Sequence, residues 1–124
     1  MLKLQNFDAL TFDVYGTILN WEPEIAGALT SWTASHGKSI SQADLLSAYD
    51  RARQPLQERR PALQYPEVQR QTLLQLEEEF DLPVPPEMLE LFGTIAATHQ
   101  PFSDSKAALD ELRGMGFKLA ALSN

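Results

Sequence analysis

In FDVYGT, residues 12–17, an aspartate closes an apolar run, a tyrosine follows two positions later, and Gly-Thr comes next. Far down the chain a second apolar run, LAALSN, ends in Ser123 and Asn124. A carboxylate just beyond one strand and a hydroxyl just beyond the next can face one small cavity, the first as nucleophile and the second as hydrogen-bond donor. Gly16 lets the intervening loop turn tightly, and its amide with that of Thr17 is expected to point at a bound anion. Each residue also has a plainer role open to it: an Asp after a strand commonly caps a turn, and a Ser near a chain end is commonly only a hydroxyl.

The elements that must position these groups follow from periodicity and punctuation. FDALTF, residues 7–12, suits a buried strand stopped by Asp13 and Gly16. From Trp21 to His36, an early Pro23 and Ile25, Leu29 and Trp32 at spacings of four and three predict an amphipathic helix closed by Gly37. Ser41 with Asp44 three residues on reads as a cap for a second helix carrying Leu45, Leu46, Tyr49 and Ala52. Pro55, Pro61 and Pro66 mark a polar connector, after which Val68, Leu73, Leu74, Leu76 and Phe80 define a third helix. A fourth starts near Pro86 with Met88, Leu89, Leu91, Phe92 and Ile95, interrupted by Gly93 and ended before Pro101. FSDSKAALDELRGMG predicts a helix capped near Ser103 and stopped at Gly114 or Gly116, and FKLAALSN a strand.

Two apolar strands separated by helices imply a parallel pair in an α/β fold with a right-handed crossover. The interval between Asp13 and Ser123 far exceeds the roughly 30 residues of a simple strand-helix-strand unit. The excess reads as a helical insertion, residues 21–98, over the mouth of a core made from residues 1–20 and 99–124.

Composition narrows the partners. The 124 residues include 17 acidic against 10 basic side chains, a formal charge of −7 that argues against general affinity for nucleic acid or anionic membrane and leaves a small-molecule substrate or a protein as the expected partner. The absence of cysteine excludes disulfides, thiolate metal sites and a thiol nucleophile. No apolar stretch approaches the roughly 20 residues of a membrane span, and MLKLQNFDAL lacks a signal-type apolar region, so a cytoplasmic location is expected.

FDVYGTILN, a helical insertion containing YPEVQRQTLLQLEEEFDL, and LAALSN together resemble the haloacid dehalogenase superfamily, and within it the 2-haloacid dehalogenase type II branch. The resemblance covers nearly the whole chain. It implies a partial Rossmann-like core of parallel strands with an α-helical cap inserted between the first two. Asp13 is then the nucleophile, Thr17 a hydrogen-bonding support for the loop, and Ser123 and Asn124 contacts to the substrate carboxylate or the departing halide. Phosphatases of the superfamily place a second Asp two residues after the nucleophile, because a basic alkoxide leaving group needs a proton. This chain has Tyr15 there. Halide leaves as a very weak base and needs no acid, so an aromatic wall can shape an apolar pocket instead; the residue also suits a core aromatic sealing the strand end. Tyr in place of Asp removes a negative charge beside the nucleophile and weakens any Mg²⁺ site.

The implied reaction is displacement of halide from a short 2-haloacid by Asp13, giving an ester that water hydrolyses, with no cofactor and no metal. A Mg²⁺-dependent phosphatase acting on a small phosphate ester, or a non-catalytic helical binding module, is the alternative. The branch takes an arginine from its cap for the substrate carboxylate, a group that a guanidinium fork matches well. Arg51 and Arg53 in AYDRAR are the candidates, Arg51 preferred, with a solvated helix surface the commonest place for either. His36 and His99 show no ligand spacing and read as helix-end or surface residues; Trp21 and Trp32 suit the cap's inner face or helix packing. The resemblance also implies a later basic residue, usually Lys, and an acidic segment on a later strand. Lys3, Lys38, Lys106 and Lys118 all lie too early. The expectation is therefore a truncated form of a parent enzyme, inactive or nearly so by itself, prone to associate, and open to a homodimer through the cap.

Overall fold

A computed structural model describes Met1 and residues 3–123. Among the described residues nine principal elements run in the order β1 (Ala9–Phe12), β2 (Leu19–Asn20), α1 (Glu22–Ser35), α2 (Gln42–Gln57), α3 (Tyr65–Phe80), α4 (Pro86–Thr94), β3 (Gln100–Pro101), α5 (Ser105–Gly114) and β4 (Lys118–Ala121). Short 3-10 turns add Leu4–Asn6 before β1 and Ile95–Ala97 after α4. The chain divides into two compact units, one formed by Met1–Trp21 with His99–Asn124 and the other by Glu22–Thr98.

In the first unit β1 and β4 pair in parallel, with Ala9 opposite Lys118 and Phe12 opposite Ala121. The bond from Leu122 N to Phe12 O, 2.7 Å, carries the ladder one residue past β4. This is the α/β arrangement implied by two apolar strands far apart in sequence. The first strand differs from expectation in two respects. It is shorter than residues 7–12, and it alternates exposed and half-buried residues instead of being buried. Thr11 and Ala9 take the exposed face, and only Leu10 and Phe12 are partly covered. A second, antiparallel pair was not foreseen: β2 and β3 join Leu19 to Pro101 and Asn20 to Gln100. Elements of two residues carry no periodicity to detect. Nor does Ser103 cap α5. Asp104 occupies the N-cap without a side-chain bond, and the Ser105 hydroxyl instead donates to Ile18 O at 2.8 Å.

The second unit holds most of the core. Ile25, Leu29 and Trp32 of α1, Leu45, Tyr49, Ala52 and Leu56 of α2, Val68, Leu73 and Leu76 of α3, and Met88 and Phe92 of α4 are all buried. Each large aliphatic among them contributes about 1.5–3 kcal/mol by leaving water. The boundaries have local causes. After α1, Gly37 at φ 73° lets Lys38 N reach back to Thr33 O at 3.0 Å, closing the carbonyl end. Ser41 caps α2 reciprocally: Asp44 N donates to Ser41 Oγ at 3.1 Å, and Ser41 Oγ donates to Asp44 Oδ2 at 2.7 Å. Pro55 does not end this helix as the sequence suggested; α2 runs through it to Gln57. Only the last turn loses a backbone bond there, and the buried Leu56 continues the face of Leu45, Tyr49 and Ala52.

Helix α3 begins at Tyr65, with Pro66 in its first turn where a missing N–H costs little. Leu74 and Leu91, assigned from spacing to the apolar faces, point outward and are about half exposed. A Cβ at Gly93 within α4 would meet the guanidinium end of the Arg70 side chain, which lies over the glycine. Trp32 serves helix packing, its Nε1 donating to Pro83 O at 2.9 Å and its ring meeting Phe80 edge-on.

Candidate active site

The loop after β1 is wound by its own backbone. Thr17 N, Ile18 N and Leu19 N all donate to Val14 O, at 3.3, 2.9 and 2.9 Å, and Gly16 N donates to Leu19 O at 2.8 Å. Only a residue tolerant of the left-handed region fits at Gly16, where φ is 85°; Trp21 Nε1 lies at van der Waals distance, 3.4 Å, from where a Cβ would stand. This winding corrects one expectation. The Gly16 and Thr17 amides are spent inside the turn, so they are not the anion donors suggested by the sequence. What the turn achieves instead is a side-chain contact: it brings Thr17 Oγ1 back to Asp13, where it donates to Oδ2 at 2.9 Å.

Asp13 is exposed and sits one residue past β1. Ser123, also exposed, lies two residues past β4. Because β1 and β4 are parallel neighbours with Phe12 opposite Ala121, both residues leave the same carboxyl edge of the sheet. Ligands of open parallel sheets bind at that edge. Asn124 lies outside the described residues. The loop is tied down on its far side as well: Ile18 O accepts from Phe102 N at 3.0 Å and from the Ser105 hydroxyl.

Tyr15 is half-buried and bridges to Leu19. Its ring meets that of His99 edge-on, with centroids 6.1 Å apart and planes at 85°. His99 is therefore not the surface residue its sequence context suggested; it is 7% exposed. Sequence reasoning missed it because nothing near His99 announces which aromatic will pack on it. His36 does lie exposed at the end of α1. Trp21 is buried beside Gly16.

The candidate arginines belong to the helical unit. Arg51 is 62% exposed in its side chain and pairs with Glu79 at 2.5 Å. It borders an open groove of about 540 Å³ with Ala52, Gln75, Glu78 and Glu79. Arg53 is only 17% exposed, pairs with Asp50 at 2.6 Å, and holds its guanidinium 5.3 Å from the centre of the Tyr49 ring. Among the described residues no group of three or more His, Cys, Asp or Glu side chains is placed to hold a metal ion. No helix among them is long and apolar enough to cross a membrane.

A family model described as haloacid dehalogenase-like hydrolase matches residues 7–124. Among solved structures, the chain is similar to an L-2-haloacid dehalogenase at 24% identity and TM-score 0.71, covering 94% of this chain and 52% of that one. An L-2-haloacid dehalogenase from Xanthobacter autotrophicus aligns at 20% identity and TM-score 0.72, over 94% of this chain and 46% of its own. A further structure described as a dehalogenase aligns at 16% identity and TM-score 0.74, over 98% and 53%. Identities this low establish a common fold, and the chain spans about half the length of these structures. No curated protein matches it significantly.

Proposed function

The chain belongs to the haloacid dehalogenase-like hydrolases, and from that membership we propose that Asp13 is the nucleophile of an enzyme that displaces halide from short 2-haloacids. The observation that carries this reading is the pairing of Asp13 with Thr17 on a turn whose intervening position 15 is tyrosine. A hydrogen bond to Oδ2 restrains the carboxylate and leaves Oδ1 as the attacking atom. In the first step Oδ1 bonds to the carbon bearing halogen as the carbon–halogen bond breaks, and halide departs with the electron pair. In the second, water adds to the carbonyl carbon of the aspartyl ester and the acyl–oxygen bond breaks; one water proton goes to the oxygen of the departing 2-hydroxy acid and the other to solvent, restoring the carboxylate. The leaving halide takes no proton, so the absence of an acidic side chain at position 15 is no handicap; Tyr15 serves as a wall of the pocket.

Ser123, leaving the same sheet edge as Asp13, is the proposed hydrogen-bond donor to halide or substrate carboxylate. Arg51 is the proposed partner of the substrate carboxylate. Its present partner, Glu79, is exposed, and an exposed pair of this kind holds a guanidinium only weakly. Glu78 and Glu79 line the same groove and oppose an incoming anion, so the Arg51 guanidinium must leave Glu79 to meet the substrate.

The experiment is halide release from 2-chloropropionate by the whole protein, without added metal. Asp13→Asn is expected to lower kcat by roughly 10³-fold or more, and Arg51→Ala to raise KM with little change in kcat. Turnover untouched by Asp13→Asn would refute the mechanism, and an unchanged KM in Arg51→Ala would remove Arg51 from the site. Prompt Mg²⁺-dependent cleavage of a small phosphate ester with no halide release would replace the dehalogenase reading by a phosphatase one.

A further inference from the structure

We propose that His99 is a positioning residue for Tyr15 and thereby sets the width of the substrate pocket; the inference rests on the reading of Tyr15 as a pocket wall. A tyrosine ring turns about two side-chain torsions, and on an irregular loop its orientation is fixed only by what packs against it. Here a buried imidazole packs against it, met edge-on at 6.1 Å and 85°, an arrangement favoured by the charge distribution of aromatic rings.

The backbone makes the contact rigid from both sides. His99 immediately precedes β3, whose two residues pair with β2, and β2 follows directly on the turn that carries Asp13, Tyr15 and Thr17. Ile18 O, inside that turn, accepts from Phe102 N and from the Ser105 hydroxyl just beyond β3. Tyr15 itself bridges to Leu19. Two segments remote in sequence are thus held in register, and the rings of Tyr15 and His99 meet across them. No covalent or proton-transfer role is assigned to the imidazole: its ring supplies a surface, and removing that surface lets Tyr15 relax into the vacated space.

The consequence is a selectivity effect. His99→Gln keeps a polar side chain of similar length but no ring, whereas His99→Phe keeps the ring. For the whole protein, His99→Gln is expected to raise KM for 2-chloropropionate roughly three- to tenfold and to shift relative kcat/KM toward 2-chlorohexanoate, with His99→Phe close to wild type. A structural readout accompanies the kinetics: ring-to-ring NOEs between Tyr15 and His99, and ring-current shifts of the Tyr15 protons that disappear in His99→Gln and persist in His99→Phe. Absence of those NOEs in the wild-type protein overturns the proposal, as does His99→Phe behaving like His99→Gln, or unchanged size selectivity in His99→Gln. If no 2-haloacid is turned over by any form, the functional reading fails, while the Tyr15 resonances still decide whether His99 positions that ring.

Discussion

Thr17 shows how much one side chain on the Asp13 turn can matter. Its hydroxyl is exposed, so its bond to Asp13 Oδ2 adds little to folding, yet on the proposed mechanism it aims the attacking carboxylate. Thr17→Val removes the donor and preserves the shape. Because a hydrogen bond to a charged group is worth about 1.5–3 kcal/mol, kcat for halide release is expected to fall roughly 10- to 100-fold. Thermal melts should show stability within about 0.5 kcal/mol of wild type. Equal losses of rate and stability would mean that Thr17 only holds the loop together. At this scale the sequence was informative about residue types and silent about direction. Gly16 was recognisable as the turn residue, but where the Gly16 and Thr17 amides point depends on the carbonyls of Val14 and Leu19. His99 gave no signal, because its packing partner lies at Tyr15, far away along the chain.

Among the elements, α2 and α3 are joined by a buried polar chain that periodicity does not reveal. The Tyr49 hydroxyl donates to Gln69 Oε1, and Gln69 Nε2 donates to the Tyr65 hydroxyl at 3.1 Å. Burial, helped by the neighbouring Tyr65, raises the Tyr49 pKa above the ordinary tyrosine value. The sign of the linkage follows. The unfolded chain releases this proton near pH 10 while the folded chain retains it to higher pH, so stability present below about pH 10 is lost progressively above it. Urea melts between pH 8 and 11 are expected to show this decline, with a shallower slope in Tyr49→Phe. An unchanged slope would assign the alkaline loss to other groups. Helix identity was legible from apolar spacing and from Ser41, Gly37 and Pro66. Pro55 misled because a proline inside the last turn costs less than the burial of Leu56 returns.

For the molecule as a whole, the two units differ in how well they are filled. Apart from Trp21, the buried hydrophobic side chains among the described residues fall within Glu22–Thr98, whereas the strand residues of β1 and β4 are exposed or half-buried. Amide hydrogen exchange should therefore be slowest in the buried stretches of α2, α3 and α4, at Tyr49, Leu73 and Phe92, and faster in β1 and β4 despite their ladder bonds. Equal protection of the strands and these helices would contradict that ordering.

By itself the sequence determined the parallel pairing of two distant apolar strands, the helices between them, and the placement of a carboxylate and a hydroxyl at the strand ends. Those features are written in local hydrophobic period and in residues such as Asp13 and Gly16, whose chemistry is intrinsic. Tertiary structure alone decided that the turn amides face inward, that β2 and β3 clamp the Asp13 loop, and that a buried imidazole backs Tyr15. Each of these depends on which distant atoms fill the space around a side chain or accept a backbone proton, and neighbouring residues in the chain do not encode that.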